Sequence, residues 1–247
     1  MNTGLTSKSF WLKYWQTKDL VIPIKKNYPF SDLFQKYCSP RQLKTFLEIG
    51  GFPGYFAIYL KKHLGYEVSL LDYVVQRKTI HKLLKKNGLK KKDLIVHEKD
   101  FFNFSTKKKY DVVFSSGFIE HFENYDEIIK KHWQLTNKGG VMLIILPNLL
   151  GLNGHFQLMF DPDNLNIHNL SSMNIKSLKK IIKNLNPSKF EVRYYGGLSI
   201  WLENLNQKSL FQKLLVYGVY AIGKIFKLFR INSKFTSPFI YLVAHKK

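Results

Sequence analysis

Apolar residues along this chain fall into short unbroken runs separated by stretches of helical periodicity. Residues 45–49 (TFLEI) read as a strand, and residues 54–65 (GYFAIYLKKHLG) carry the spacing of the helix that follows. Residues 66–72 (YEVSLLD) form a second strand. Helical spacing then runs from 74 to 88 and stops at a glycine. Three more strands are predicted at 93–100, 110–116 and 140–147. Their continuous Val, Ile and Leu content calls for burial on both faces, as in a parallel sheet between two helical layers. Strand and helix in alternation predict an open, doubly wound α/β domain.

Beyond Pro147 the pattern changes. Residues 148–171 are rich in Asn, Gly and His and too long for an ordinary connection, so they are expected to form a lid. A helix with a serine cap is predicted over 172–185, and strands over 189–196 and 237–247. Between those strands, residues 208–230 have the pattern of a basic amphipathic helix. At about 100° per residue, Ser209, Gln212, Lys213, Lys224, Lys227 and Arg230 gather on one side of it. Its uncharged centre, 214–223, is too short to span a bilayer. Such a helix lies in a membrane interface, closes over an apolar substrate, or packs on its own protein, and Gly218 and Gly223 weaken it slightly.

Composition adds two constraints. The 247 residues carry a net charge of +22, which points to an anionic partner such as nucleic acid, a membrane surface or a phosphorylated substrate; solvated lysine runs between elements are the competing explanation. A single cysteine, Cys38, excludes an internal disulfide framework and a multi-cysteine metal site. No basic segment followed by an apolar run and a small-residue cleavage site opens the chain, so a cytoplasmic protein is expected.

The candidate chemistry sits behind the first strand, in LEIGGFPG, residues 47–54. Glycines there let backbone approach a ligand, and the next helix presents its N-terminal amides. A nucleoside triphosphate loop would end in Gly-Lys-Ser/Thr, but GYF stands there. A dinucleotide loop would read G-x-G-x-x-G, and Phe52 interrupts that pattern. The stretch instead resembles motif I of the class I S-adenosylmethionine-dependent methyltransferases, with Glu48, Gly50 and Gly54 on matching positions and Phe52 in place of the central glycine. Four further landmarks follow in the family's order: Asp72 closing the second strand, KDFFNF after the third, YDVVFSSGFIEHF at the fourth, and KGGVMLIILPN at the fifth.

The resemblance implies a Rossmann-like, seven-stranded methyltransferase sheet over residues 44–247, under an N-terminal helical cap formed by 1–43. It implies S-adenosylmethionine as cofactor and no metal. Glu48 would hold the cofactor's amino group, with Gly50, Gly51 and Gly54 forming the turn. Asp72 and Tyr73 would face the ribose, Asp100 and Phe101 the adenine, and Ser116 and Gly117 the methionine end. Among the histidines, His121 should face the crevice as a general base, with His155 and His168 in the lid as reserves.

The acceptor is narrowed by absences. No Asn/Asp-Pro-Pro-aromatic motif follows the fourth strand, as it does in base-methylating members, and the catalytic aspartate of ribose methyltransferases is missing there. The expected reaction is O-methylation of a small molecule, glycan or lipid-linked sugar, with peripheral membrane contact through 208–231. The alternatives are an RNA methyltransferase, or a non-catalytic membrane or nucleic-acid binder with a vestigial cofactor pocket.

Overall fold

A computed structural model describes residues 4–39, 43–229 and 231–247. Arg230, placed above on the polar face of the amphipathic helix, lies outside the described residues, as do residues 1–3 and 40–42 of the expected cap. Among the described residues, seven strands make one sheet: β1 (Thr45–Ile49), β2 (Glu67–Asp72), β3 (Leu94–Glu98), β4 (Tyr110–Ser116), β5 (Thr136–Pro147), β6 (Lys189–Tyr195) and β7 (Phe239–His245). Their order is β3-β2-β1-β4-β5-β7-β6, with β7 antiparallel to both of its neighbours. Ile49 is level with Leu71 on one side and Ser115 on the other, so the carboxyl ends of β1, β2 and β4 share one edge. The strand order reverses beside β1, which is where doubly wound sheets open their ligand crevice.

Alternation along the strands separates two cores. Phe46 joins one, with α3 (Tyr55–Tyr59) and the wider turn that continues it through Leu64, α4 (Arg77–Lys86) and α2 (Ser31–Cys38). Leu47 and Ile49 join the other, with α5 (Tyr125–Leu135) and α8 (Ile175–Asn184). Helix α5 was not singled out in the sequence pattern, although Ile128, Ile129, His132 and Trp133 are buried at helical spacing. Helix α8 begins later than predicted and is capped by Asn174, whose side chain accepts from the amides of Lys176 and Ser177, in place of the expected serine.

The expected cap divides into two parts. Helix α2 buries Leu33, Phe34, Tyr37 and Cys38 in the first core, whereas α1 (Lys8–Gln16) buries no residue fully and lies over the crevice. The expected lid contains α6 (Leu152–Phe160) and α7 (Pro162–Asn166). The amphipathic segment forms α9 (Leu210–Leu228), started by a reciprocal cap: the Ser209 hydroxyl accepts from the Gln212 amide and the Gln212 side chain accepts from the Ser209 amide. Only Val216 and Gly223 of α9 are buried. A Cβ on Gly223 would stand 2.2 Å from the Leu198 carbonyl oxygen, so this glycine lets the helix dock closely. Leu210, Leu214 and Leu228 remain 73%, 61% and 77% exposed. No helix among the described residues is long and apolar enough to cross a membrane.

Candidate active site

The turn after β1 is held from beneath by two carboxylates. Glu48 accepts a 2.7 Å hydrogen bond from the Ala57 amide and so caps α3. Asp72 accepts from the Phe52 amide at 2.9 Å and the Val74 amide at 2.8 Å, tying the glycine turn to the end of β2. Gly50 has φ +63°, and a Cβ there would meet the Phe118 ring at 2.0 Å; a Cβ on Gly51 would meet Glu48 Oε1 at 2.2 Å. Backbone and side chains thus enclose a cradle that any larger residue would fill. Gly50→Ala is therefore expected to destabilise the protein by about 1–3 kcal/mol through strain and overpacking. Thermal unfolding checks this, and an unchanged midpoint would show that the turn is not locked by Phe118.

Glu48, Gly50, Gly51, Asp72, Tyr73, Asp100, Phe101, Ser116 and Gly117 all line one cavity of about 330 Å³. Gly54 does not line it; it starts α3 at φ +96°, where its amide donates to the Gly51 carbonyl at 2.7 Å. Asp100 accepts from the Phe102 amide at 2.7 Å, and Phe101 packs edge-on against Phe118 with centroids 5.4 Å apart. Burial raises the carboxyl of Glu48 to about 8 and that of Asp72 to about 6, although backbone amides oppose the shift at both.

Among the histidines, His121 and His168 line the cavity and His155 does not. His155 Nδ1 is engaged by the Gly151 carbonyl one helical turn back, 2.9 Å away, and its ring lies near Phe235, so its reserve role finds no geometric support. The rings of His121 and His168 are 4.7 Å apart. Burial pushes His121 down to about 3, helped by the repulsion of a charged His168, and burial lowers His168 as well. A base so weak is far from the near-neutral value that favours general-base catalysis.

Aromatic side chains of α1 close the opening. Phe10, Trp11, Tyr14 and Trp15 line the cavity, with Trp11 edge-on to His121 and Trp15 edge-on to Phe52. The helix is pinned by Lys18, whose ammonium lies 2.7 Å from Glu203, and by the Tyr14 hydroxyl, 3.4 Å from the same carboxylate. Trp201 and Glu203 complete this roof and themselves line the cavity. Their amides donate to Asn153 and Asp161 of the α6 region. Sequence reasoning missed Phe52, Phe118, Glu120, Trp201 and Glu203. The residues FIEH, following the fourth strand, were the one available signal for Glu120.

This sheet order, with a glycine turn after the first strand and an acidic residue ending the second, defines the fold of the class I S-adenosylmethionine-dependent methyltransferases. The chain belongs to the methyltransferase-domain family, whose sequence profile matches residues 25–188. No curated protein sequence matches it. Among solved structures, it resembles phosphoethanolamine N-methyltransferase 2 of Haemonchus contortus in complex with phosphomonomethylethanolamine and S-adenosylhomocysteine. That match has 15% identity and a TM-score of 0.62 over 96% of this chain, which spans 56% of the nematode enzyme's length. A methyltransferase from Archaeoglobus fulgidus matches at 18% identity and TM-score 0.55, covering 87% of this chain and 92% of that one. The plantazolicin methyltransferase BpumL, in complex with S-adenosylhomocysteine, matches at 16% identity and TM-score 0.55, covering 88% and 81%. These likenesses establish the shared fold.

Proposed function

We propose that this protein transfers a methyl group from S-adenosylmethionine to an oxygen of a small-molecule, glycan or lipid-linked acceptor. The observation that carries the reading is the convergence of Glu48, Asp72 and Asp100 on one glycine-cradled cavity under an aromatic roof. Three carboxylates from three successive strand ends suit a ligand with an ammonium, ribose hydroxyls and an adenine amine. When bound, that cofactor supplies a methyl group on a positively charged sulfur, and the acceptor's lone pair forms the new bond as the carbon–sulfur bond breaks to leave a neutral thioether.

The chain's own residues contribute position and dryness. Phe101, Trp11, Trp15 and Trp201 give the cavity apolar walls, which would hold a ligand against ring surface and limit the water beside it. His121 and His168 line the same cavity as Ser116 and Gly117, which supports an acceptor bound against them. The exposed apolar side of α9, with Lys213, Lys224 and Lys227 alongside it, supports an acceptor presented at an anionic membrane surface.

Calorimetric titration of the full chain with S-adenosylmethionine is expected to show one saturable site, and absence of binding would leave only the vestigial-pocket alternative. Co-sedimentation with anionic vesicles is expected as well, and to be lost in Leu214→Asp/Leu228→Asp. Salt-dependent RNA binding without vesicle binding would instead favour the RNA methyltransferase.

A further inference from the structure

Glu120, His121 and His168 meet at the cavity wall, each with a donor atom, and these atoms all lie within 4.8 Å of one another. The histidine tautomers follow from their partners. His121 Nδ1 lies 2.9 Å from the Ile167 carbonyl and His168 Nδ1 2.6 Å from the Asn164 carbonyl. A carbonyl can only accept, so both Nδ1 atoms carry the hydrogen and both Nε2 atoms keep a lone pair. Neither Nε2 makes a hydrogen bond among the described residues. Glu120 is 1% exposed, and its Oε2 has no hydrogen-bond partner among the described residues.

Two Nε2 lone pairs and the Glu120 carboxyl therefore converge without a hydrogen bond to one another among the described residues. A buried carboxyl oxygen is rarely left without a partner, and here it stands beside two imidazole lone pairs at a cavity wall, which favours a cationic occupant held by all three. Two features favour a metal ion over an organic cation. Imidazoles whose Nδ1–H is anchored on a carbonyl are oriented as metal-ligating histidines are. Two nitrogens and one carboxylate oxygen also form the donor set taken by borderline divalent ions, leaving further positions open.

The geometry points to a divalent transition-metal site formed by Glu120, His121 and His168, its open positions facing the cavity and taking an oxygen of the acceptor. A metal at about 2.0–2.2 Å from each donor requires the three side chains to draw together by small torsional adjustments. A bound dication would lower the pKa of the hydroxyl oxygen it holds, so that the hydroxyl proton would pass to solvent before methyl transfer. The acceptor part of this inference rests on the methyl-transfer reading, whereas the metal site itself does not.

The test uses the full chain stripped with a chelator and titrated with Co²⁺ under the spectrophotometer, and with Zn²⁺ by equilibrium dialysis. One ion per chain is expected, with visible Co²⁺ bands of a low-coordinate nitrogen-and-oxygen site. Affinity should fall at least tenfold in Glu120→Gln and in His168→Ala, and be unchanged in His155→Ala, which controls for adventitious histidine binding. Glu120→Gln preserves side-chain volume, so it reads the site even if His168→Ala folds poorly. Wild type that binds neither ion, or a Glu120→Gln variant that binds both as wild type does, overturns the site. S-adenosylmethionine is titrated separately into the same samples. Metal binding without cofactor binding would sink the methyl-transfer reading and leave the metal site standing.

Discussion

Asp72→Ala is expected to weaken S-adenosylmethionine binding at least tenfold, about 1.4 kcal/mol. Two losses add in the same direction. The cavity loses the carboxylate at the end of β2 that the proposed reading assigns to ribose hydroxyls, and the Phe52 and Val74 amides lose their acceptor at 2.9 and 2.8 Å. Asp72→Asn separates these losses, because its amide oxygen still accepts from one of the two amides while its charge is gone. Calorimetry on the three proteins, with thermal midpoints recorded alongside, measures the effect. Equal affinities in wild type and the alanine variant would remove Asp72 from the binding site.

The second large effect is a pair of opposed pH dependences centred on Glu48. Burial raises this carboxyl to about 8, amides of Ala57 and Phe56 pull it back, and the nearby charge of Asp72 adds to the rise. At pH 7 the ligand-free protein therefore holds Glu48 mostly protonated. A cationic amino group needs the carboxylate, so cofactor affinity should fall about tenfold for each pH unit below 8, with Asp72 contributing from about 6 downwards. Folding stability without ligand runs the other way. Between the ordinary carboxyl range near 4.5 and about 8, the folded chain keeps a proton that the unfolded chain has lost. Stability is thus greatest below that window and declines as pH rises through it. Glu48→Gln should flatten both curves between pH 6.5 and 8.5, as read by calorimetry and by denaturant unfolding. A wild-type affinity independent of pH across that interval would show that Glu48 does not carry the cofactor's charge.

Most of the fold is legible in the pattern of apolar residues, because a parallel strand buried on both faces tolerates little else. The runs at 45–49, 66–72 and 110–116 correspond closely to β1, β2 and β4. Helix α5 escaped notice because it follows directly on residues read for their chemistry, and its apolar spacing is interrupted by two lysines and a glutamine. The amphipathic character of α9 was plain in the sequence, but which face would be covered was not. Only the structure shows that a narrow stripe at Val216 and Gly223 docks while most of the apolar side faces outwards. Gly223, which weakened the helical expectation, is the residue that permits that docking.

The site divides along the same line. Sequence alone determined the residues behind each strand, since the glycine turn, Asp72 and Asp100 follow the strands within a few positions and local order places them at one sheet edge. Tertiary structure alone decided the contacts made across long separations. It brought Glu203 to Lys18, Trp11 to His121, and His168 beside His121 and Glu120. The physical reason is that the position of a strand end is set by local hydrogen bonding and burial, whereas a roof over a cavity is set by how separate segments pack. No spacing along the chain records that packing.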